Sequence, residues 1–258
     1  MMSVIMTETA GADADTRAQA RERAEVLGIP YFERQGSLEY MTTLTGTDCF
    51  LIYEKNGPVY RAGSSFYRYH IGSAALRLLQ LKKTGYDRLC SLLPETRPLS
   101  VLDATFGMGG DSAVISWFLG SHGRVTALEC EPVLWEIGQY GLRHWKGEPD
   151  VETALRRILL KKESFQKFLR SAEPRSFDVV YFDTMFKIPV DRSDNMKAFR
   201  QAACTDSLSE EVLSDAVRAA RRRVIVKERP FSSLFKNPLF QTVHRRRGQS
   251  TAYGVIDL

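Results

Sequence analysis

The sequence predicts an α/β fold built on a mostly parallel seven-stranded sheet, preceded by a small N-terminal α+β lobe. From residue 99 onward, short apolar runs alternate with helical stretches, which is typical of a parallel sheet covered by helices on both faces. After Lys227 the alternation stops, and the apolar runs 240–244 and 251–256 lie close enough in sequence to predict an antiparallel pair. The sheet is therefore expected to end on an antiparallel C-terminal strand.

Residues 1–95 are assigned to the small lobe and its lead-in helix, and residues 96–258 to the main domain. The first fourteen residues are expected to be a frayed tail, followed by a helix over 15–27 that Gly28 and Pro30 end. The runs 49–53 and 59–61 flank a turn signal at 55–58 and predict a hairpin. Leucine spacing predicts a helix over 73–83.

The main domain is expected to alternate strictly between strand and helix. Its predicted strands are 101–103, 124–128, 157–160, 179–182 and 224–227, and its predicted helices lie near 112–119, 132–144, 164–171 and 209–221.

Composition narrows the class of protein. The 258 residues are 43% hydrophobic and 26% charged, as in ordinary globular proteins. No stretch approaches eighteen apolar residues, and the N-terminus lacks the pattern of a signal peptide, so a cytoplasmic protein without a membrane span is expected. The cysteines are scattered without a C-x-x-C pair, which argues for reduced thiols and against a bound zinc or other metal.

A glycine-rich turn joins the strand 101–103 to the next helix and is the predicted cofactor site. Glycines let a ligand lie directly against the main chain. A dinucleotide fingerprint would need a third glycine at Ser112, and Asp111 would repel a pyrophosphate but could pair with an amino-acid ammonium. The alternative is a turn that binds nothing. The residues assigned to the site are Asp103, Thr105, Gly107, Gly109, Gly110 and Asp111.

The Asp-x-x-x-Gly-x-Gly pattern of this turn resembles the loop of class I S-adenosylmethionine-dependent methyltransferases. Their Rossmann-like sheet also ends with an antiparallel strand, so the resemblance implies that fold and that cofactor here.

Further polar residues follow the other predicted strands. Glu129 follows the second strand, Glu163 and Ser164 the third, and Asp183 the fourth. Carboxyl ends of parallel strands meet at one edge, so these side chains should converge. Glu129 is a candidate acceptor for two ribose hydroxyls, whereas Glu163 could instead be a helix N-cap.

The motif Asp183-Thr184-Met185-Phe186 resembles the Asp/Asn-Pro-Pro-Phe/Tyr loop of methyltransferases that act on exocyclic amino groups. Such a nitrogen is a poor nucleophile because its lone pair is delocalised into the ring. A carboxylate that accepts its N–H bond localises the pair, and an aromatic ring holds the base flat. Asp183 and Phe186 are therefore the candidate catalytic residues. The alternative is a strand-end turn that merely uses aspartate.

Positive charge is concentrated in the C-terminal third, although the whole chain carries only +5. Ten Lys or Arg lie between Arg218 and Arg247, against the single acid Glu228, which predicts contact with phosphates. The triplet 221–223 could instead close a helix, where cations complement the dipole. The triplet Arg245, Arg246 and Arg247 is the stronger RNA candidate.

Aromatic residues surround Arg68 and His70 in the segment 66–70. They could stack on a base, or they could be core residues with a capping histidine.

Taken together, the motifs resemble the ribosomal RNA guanine-N2 methyltransferase family called RsmJ or YhiQ, especially Gram-positive-type relatives. The matching segments include Ala-Glu-Val-Leu-Gly-Ile-Pro, the segment 66–70, Leu-Asp-Ala-Thr-Phe-Gly-Met-Gly-Gly-Asp, Leu-Glu-Cys-Glu-Pro, Asp-Thr-Met-Phe and Val-Ile-Val-Lys-Glu-Arg-Pro. The resemblance implies that the methyl donor is contacted by Gly110, Asp111, Glu129, Cys130, Glu163, Ser164 and Asp183.

The resemblance also implies methyl transfer to guanine N2 of small-subunit ribosomal RNA, with no metal. Two positions differ from the family pattern: Thr184 replaces the usual proline, and Gly110 replaces an arginine that often precedes the loop aspartate. Two other functions stay open, namely methylation of another amine in a small molecule or protein, and RNA binding by an inactive relative. Titration with the methyl donor separates the inactive protein from the enzymes.

Overall fold

The computed structural model describes residues 4–183, 198 and 208–258. Packing divides these residues into two units. The small unit contains residues 4–70, Glu131–His144 and Ala198, and the large unit contains Ile71–Cys130, 145–183 and 208–258. The domain boundary expected between residues 95 and 96 stays a prediction.

The described chain forms eleven strands and eight α-helices. The strands are β1 (Ile5–Glu8), β2 (Cys49–Glu54), β3 (Gly57–Ala62), β4 (Ser65–Tyr67), β5 (Leu99–Asp103), β6 (Gly123–Glu129), β7 (Ile158–Lys162), β8 (Phe177–Asp183), β9 (Ala220–Glu228), β10 (Thr242–His244) and β11 (Ala252–Asp257). The helices are α1 (Ala14–Leu27), α2 (Leu38–Thr45), α3 (Ser73–Thr84), α4 (Gly110–Leu119), α5 (Pro132–His144), α6 (Pro149–Arg156), α7 (Phe165–Ser171) and α8 (Glu210–Ala219). The sequence did not predict α2, α6 or β4.

The small unit is built on a four-stranded sheet in the order β1-β2-β3-β4. Strand β1 runs parallel to β2, and the remaining neighbours are antiparallel, as in the predicted hairpin. Gly57 begins β3 at a φ of 101°, a backbone conformation that suits the turn before it and favours glycine.

The frayed tail expected over residues 1–14 is wrong for the part that forms β1. Met6 and Thr7 are fully buried, and Glu8 accepts hydrogen bonds from the Tyr31 hydroxyl (2.7 Å) and the Arg34 amide (2.9 Å). The strand pairs with β2, more than forty residues away, in a register that sets Ile5 beside Phe50. Local sequence signals miss it because its stability comes from this distant partner.

Helix α5 follows β6 in the chain but packs against β3 of the small unit. Its Glu136 is buried and accepts two hydrogen bonds from Arg23, at 2.9 and 2.6 Å, and a further one from the Tyr53 hydroxyl. The Tyr69 ring lies against Gly141, where a Cβ atom would come within 1.9 Å of the ring. Only glycine allows this close approach of helix and ring.

The large unit contains the predicted seven-stranded sheet, in the order β10-β11-β9-β8-β5-β6-β7. Strands β5 to β9 are mutually parallel, and β11 runs antiparallel to its neighbours β9 and β10. This arrangement confirms the predicted sheet with its antiparallel C-terminal strand.

Helices α7 and α8 cover one face of this sheet through a continuous apolar core, in which Val180, Phe182 and Leu213 are fully buried. Helix α8 ends at Ala219, two residues earlier than predicted. The triplet 221–223 therefore lies in β9, and its interpretation as a helix-closing group is wrong. Arg221 and Arg222 instead pair with Asp178, at 3.1 and 3.5 Å.

Within the described residues, no helix is long and apolar enough to cross a membrane.

Candidate active site at the carboxyl ends of the parallel strands

The turn after β5 has a backbone that requires glycine. Gly107 and Gly109 take φ values of +55° and +76°, in the region that favours glycine. A Cβ atom on Gly109 would also lie 2.5 Å from the Phe106 ring. The Phe106 amide donates to the Leu128 carbonyl (2.9 Å), which ties the turn to the end of β6. Helix α4 then begins at Gly110, and no side chain caps it.

Asp103 ends β5 and is almost completely buried. Its carboxylate accepts hydrogen bonds from the Ser112 hydroxyl (2.6 Å) and the Thr105 amide (3.1 Å). Burial raises the pKa of Asp103 to about 6, although the Ser112 hydrogen bond acts in the opposite direction. Asp103 therefore fixes both ends of the glycine turn.

Glu129 ends β6, and its side chain faces the same turn. Its Oε2 accepts a hydrogen bond from the Gly107 amide (3.2 Å), and its backbone carbonyl accepts one from Glu163 (3.0 Å). The ends of β5, β6 and β7 are therefore adjacent, as the sequence predicted for a parallel sheet.

The residues that follow β6 and β7 have simpler surroundings. Ser164 is the N-cap of α7, and its hydroxyl accepts a hydrogen bond from the Lys167 amide (3.3 Å). The alternative that Glu163 caps this helix is therefore wrong; its carboxylate lies 3.6 Å from the Lys167 amine. The Cys130 side chain is half-buried.

Asp111, in the first turn of α4, is surrounded by donors. It accepts hydrogen bonds from Arg77 of α3, from the Tyr181 hydroxyl of β8 (2.7 Å) and from the Lys227 amine of β9 (2.9 Å). Burial alone would raise the pKa of Asp111, but the cations of Lys227 and Arg77 hold it well below its usual range. Asp111 is therefore a fixed negative charge.

Asp183 ends β8 directly beside Lys227 in the sheet register. The Lys227 amine donates a hydrogen bond to Oδ2 of Asp183 (2.6 Å). The backbone amide of Asp183 donates one to the Thr105 hydroxyl (2.6 Å). Its side chain is 32% exposed, compared with 9% for Asp111. Burial raises the pKa of Asp183 to about 7, opposed by Lys227 and reinforced by Asp111.

These contacts form one group of five charged side chains, which we call the charge cluster: Arg77, Asp87, Asp111, Asp183 and Lys227. Arg77 connects Asp87, through two hydrogen bonds of 2.9 Å, to Asp111. Three carboxylates face two cations, so the cluster carries one excess negative charge when all are ionised. No sequence motif predicts Arg77, Asp87 or Lys227 as site residues.

Comparisons with known proteins identify the family of this chain. A family model described as "Putative SAM-dependent methyltransferase", where SAM is S-adenosylmethionine, matches residues 70–247. The chain belongs to this methyltransferase family.

The methyltransferase is similar to ribosomal RNA small subunit methyltransferase J of Pseudomonas paraeruginosa, with 30% identity over 223 residues covering 83% of this chain and 81% of the relative. It is also 28% identical to the protein YpiP of Bacillus subtilis over 246 residues, 92% and 93% of the two chains. A solved SAM-dependent methyltransferase from Neisseria gonorrhoeae covers 98% of this chain and 95% of its own, with a TM-score of 0.64 at 19% identity. The relatives confirm the predicted RsmJ-like methyltransferase, and the solved structure confirms the fold.

The residues at the strand ends of this methyltransferase fit its cofactor, S-adenosylmethionine. The cofactor carries a sulfonium and an ammonium against one carboxylate, so it is a net cation. The excess negative charge of the charge cluster and the adjacent Glu129 carboxylate complement such a ligand. Gly107, whose amide donates to Glu129, presents no side chain to a ligand at this turn.

The remaining predicted residues either make none of the contacts described above or fall outside the described residues. Phe186 and Thr184 fall outside them. Arg68 pairs with Glu54 (2.7 Å) in the small unit, and His70 is exposed there. Gly72, not His70, is the N-cap residue of α3. Arg245, Arg246 and Arg247 are exposed between β10 and β11.

Proposed function

We propose that this methyltransferase modifies an exocyclic amino group, namely guanine N2 of small-subunit ribosomal RNA. The observation that carries the proposal is Asp183, a partly exposed carboxylate at the end of β8 that Lys227 holds in place. Such a carboxylate suits an amine acceptor, because it can accept a hydrogen bond from the N–H group and so localise the nitrogen lone pair for attack. The relatives named ribosomal RNA small subunit methyltransferase J support the choice of RNA.

Donor binding is assigned to the edge formed by β5, β6 and β7. Glu129 would accept hydrogen bonds from the two ribose hydroxyls and would keep the one that it accepts from the Gly107 amide. Asp103 would hold the glycine turn in shape rather than touch the ligand, because it is almost fully buried. Cys130, Glu163 and Ser164 would line the same edge.

Asp111 is assigned to the ammonium side of the donor. Its carboxylate already accepts three hydrogen bonds from the protein, so its contribution is a fixed negative potential. When bound, S-adenosylmethionine supplies a methyl group on a cationic sulfonium, which is electrophilic.

Asp183 acts on the acceptor. Lys227 binds Oδ2, and we assign Oδ1 to the incoming amino group as hydrogen-bond acceptor. Accepting one N–H bond localises the nitrogen lone pair toward the methyl group, and the same carboxylate can take the proton that the nitrogen loses after transfer. Lys227 is a positioning residue in this scheme, because it orients the carboxylate and favours its charged form. Phe186 would hold the base flat.

Recognition of RNA is assigned to exposed cations. Arg245, Arg246 and Arg247 are available to phosphates, and Arg68 with His70 would contact RNA from the small unit. These contacts position the substrate and carry no sequence information by themselves.

The decisive experiment is mass spectrometry of small-subunit ribosomal RNA from a deletion strain, followed by methyl transfer to that RNA by purified protein. We expect one methylated guanine to be lost in the strain and restored in vitro. Donor binding without any transfer to RNA or subunits would contradict the RNA proposal. An amine acceptor in a small molecule or protein would then be the remaining function.

A further inference from the structure

One exposed aromatic residue lies close in the chain to the charge cluster. Phe231 is 92% exposed, the largest exposed fraction among the large apolar side chains of the described residues. It follows β9, four residues after Lys227, so their Cα atoms are separated by at most about 14 Å of extended chain. Lys227 in turn contacts Asp183.

The backbone that carries Phe231 is fixed on both sides. Pro230 and Phe231 are the central residues of a turn closed by the Ser232 amide, which donates to the Arg229 carbonyl (3.1 Å). Ser232 also caps the following short helix at the Leu234 amide (3.3 Å). The proline ring further restricts the turn.

The same turn is tied to the arginine triplet. Arg245 donates from Nε to the Pro230 carbonyl (2.7 Å), which brings the start of the triplet beside the turn. Residues 229–247 contain five Lys or Arg and no acid. An aromatic ring on a rigid turn, next to side chains of positive charge, matches a base and its phosphates. Stacking and phosphate attraction are the contacts by which proteins bind single-stranded nucleic acid without reading its sequence.

We propose that Phe231 is a stacking platform for a nucleobase of single-stranded RNA, with Arg245 and its neighbours binding the adjoining phosphates. The proposal rests on the RNA substrate proposed above and adds a contact outside the candidate catalytic residues. Because the turn is already ordered, little conformational entropy is lost when a base stacks on the ring.

The test measures affinity for a labelled single-stranded fragment of small-subunit ribosomal RNA and, separately, for heparin, a polyanion without bases. Phe231→Ala should weaken RNA binding about 10- to 100-fold. Phe231→Leu should weaken it similarly, because leucine keeps the apolar surface but lacks a stacking face. Phe231→Tyr should retain it within about threefold. Heparin and donor affinity should stay unchanged in all three variants.

Leu159→Ala is the matched control. Leu159 is a 57% exposed apolar residue of β7, the outermost strand on the side of the sheet away from β9, β10 and β11. Its replacement should therefore leave RNA affinity unchanged. Wild-type affinity in Phe231→Leu, or an equal loss of heparin binding, would overturn the platform. A loss seen only with assembled subunits, and not with the single-stranded fragment, would show that the ring does not stack on single-stranded RNA and would overturn the platform too.

The wild-type chain separates the two proposals. If it binds and methylates RNA while Phe231→Ala binds equally well, only the platform is wrong. If the wild-type chain neither binds nor methylates RNA, the RNA substrate is wrong and the platform is wrong with it.

Discussion

The charge cluster and the arginine loop, residues 245–247, carry positive charge in opposite ways. In the cluster, Arg77 and Lys227 each contact two carboxylates, and the side chains of Asp111 and Lys227 are only 9% and 19% exposed. In the loop all three arginines are exposed, and within the described residues no carboxylate pairs with Arg246 or Arg247. The cluster's charges therefore position groups inside the protein, whereas those of the loop are available to a partner.

The energetic consequences differ accordingly. Removing one partner of a buried ion pair leaves an uncompensated charge, which costs about 3–5 kcal/mol. An exposed pair contributes about 0–1 kcal/mol. Variants in the cluster should therefore change stability and chemistry, and variants in the loop should change only binding.

The largest expected effect is on methyl transfer by Asp183→Asn. This variant keeps the size and a carbonyl acceptor but loses the charge, so single-turnover transfer should fall by about 10²–10⁴ while donor affinity stays within a few-fold. In the wild type the rate should rise with pH through the Asp183 pKa of about 7, because only the ionised carboxylate carries the negative charge that strengthens the hydrogen bond from the amino group and can take the proton that the nitrogen loses. Near wild-type transfer by Asp183→Asn would contradict an amine acceptor.

Lys227→Met should have the next largest effect. It leaves Asp111 and Asp183 without their shared cation, so the free energy of unfolding should fall by about 3–5 kcal/mol in urea denaturation. The matched control is Arg170→Met, which breaks an exposed pair with Glu211 and should cost no more than about 1 kcal/mol. The pH dependence of any remaining transfer should move to higher pH, because losing the cation raises the pKa of Asp183. Equal stability of the two variants would show that the cluster's ion pairs contribute no more than exposed ones.

A smaller effect, on the pH dependence of stability, is expected from Asp103. Its pKa of about 6 in the folded state is raised from about 3.9 in the unfolded chain. Between these two pKa values the folded state keeps the Asp103 proton, whereas the unfolded state has released it. The free energy of unfolding is therefore highest below pH 4 and falls by about 3 kcal/mol as the pH rises through 6. Asp103→Asn imitates the protonated form, so its stability relative to wild type should increase from pH 4 to pH 7. A difference that is constant with pH would contradict the raised pKa.

Donor affinity should change moderately in Glu129 variants. Glu129→Ala removes two charge-assisted hydrogen bonds to the ribose, each contributing at most about 1.5–3 kcal/mol. It also removes the acceptor of the Gly107 amide. Glu129→Gln keeps an oxygen for that amide, so it separates the loss of loop support from the loss of charge. An unchanged donor dissociation constant in Glu129→Ala would refute the ribose assignment.

The difference between local and long-range interactions explains which site residues the sequence could predict. Asp103, Glu129 and Asp183 each follow an apolar run, and parallel strands bring their ends together, so their convergence followed from local pattern. Lys227 and Arg77 were missed because their importance comes from register and packing. Lys227 lies beside Asp183 only once β8 and β9 pair, and Arg77 reaches Asp111 from another helix.

Long-range pairing also accounts for two features of the small unit that the sequence does not predict. The sequence predicts a frayed tail where β1 forms, although Met6 of this strand is fully buried. Helix α5 forms where the sequence predicts a helix, but its place after β6 in the chain does not indicate that it packs with β3. Both cases involve partners that no local window contains.

The smallest effect on the folded protein, and the clearest test of the contrast, is expected from replacing Arg245, Arg246 and Arg247 together by glutamate. The free energy of unfolding should change by no more than about 0.5 kcal/mol per site, because these side chains are exposed. RNA affinity should fall at least about tenfold at low salt, and its salt dependence should flatten, because fewer counterions are released on binding. Donor affinity should stay unchanged. The measurement is RNA binding across a series of salt concentrations, alongside urea denaturation and donor titration. RNA binding equal to wild type at every salt concentration would show that the loop contacts no phosphate, and a loss of stability as large as that of Lys227→Met would show that its charges are structural, as those of the charge cluster are.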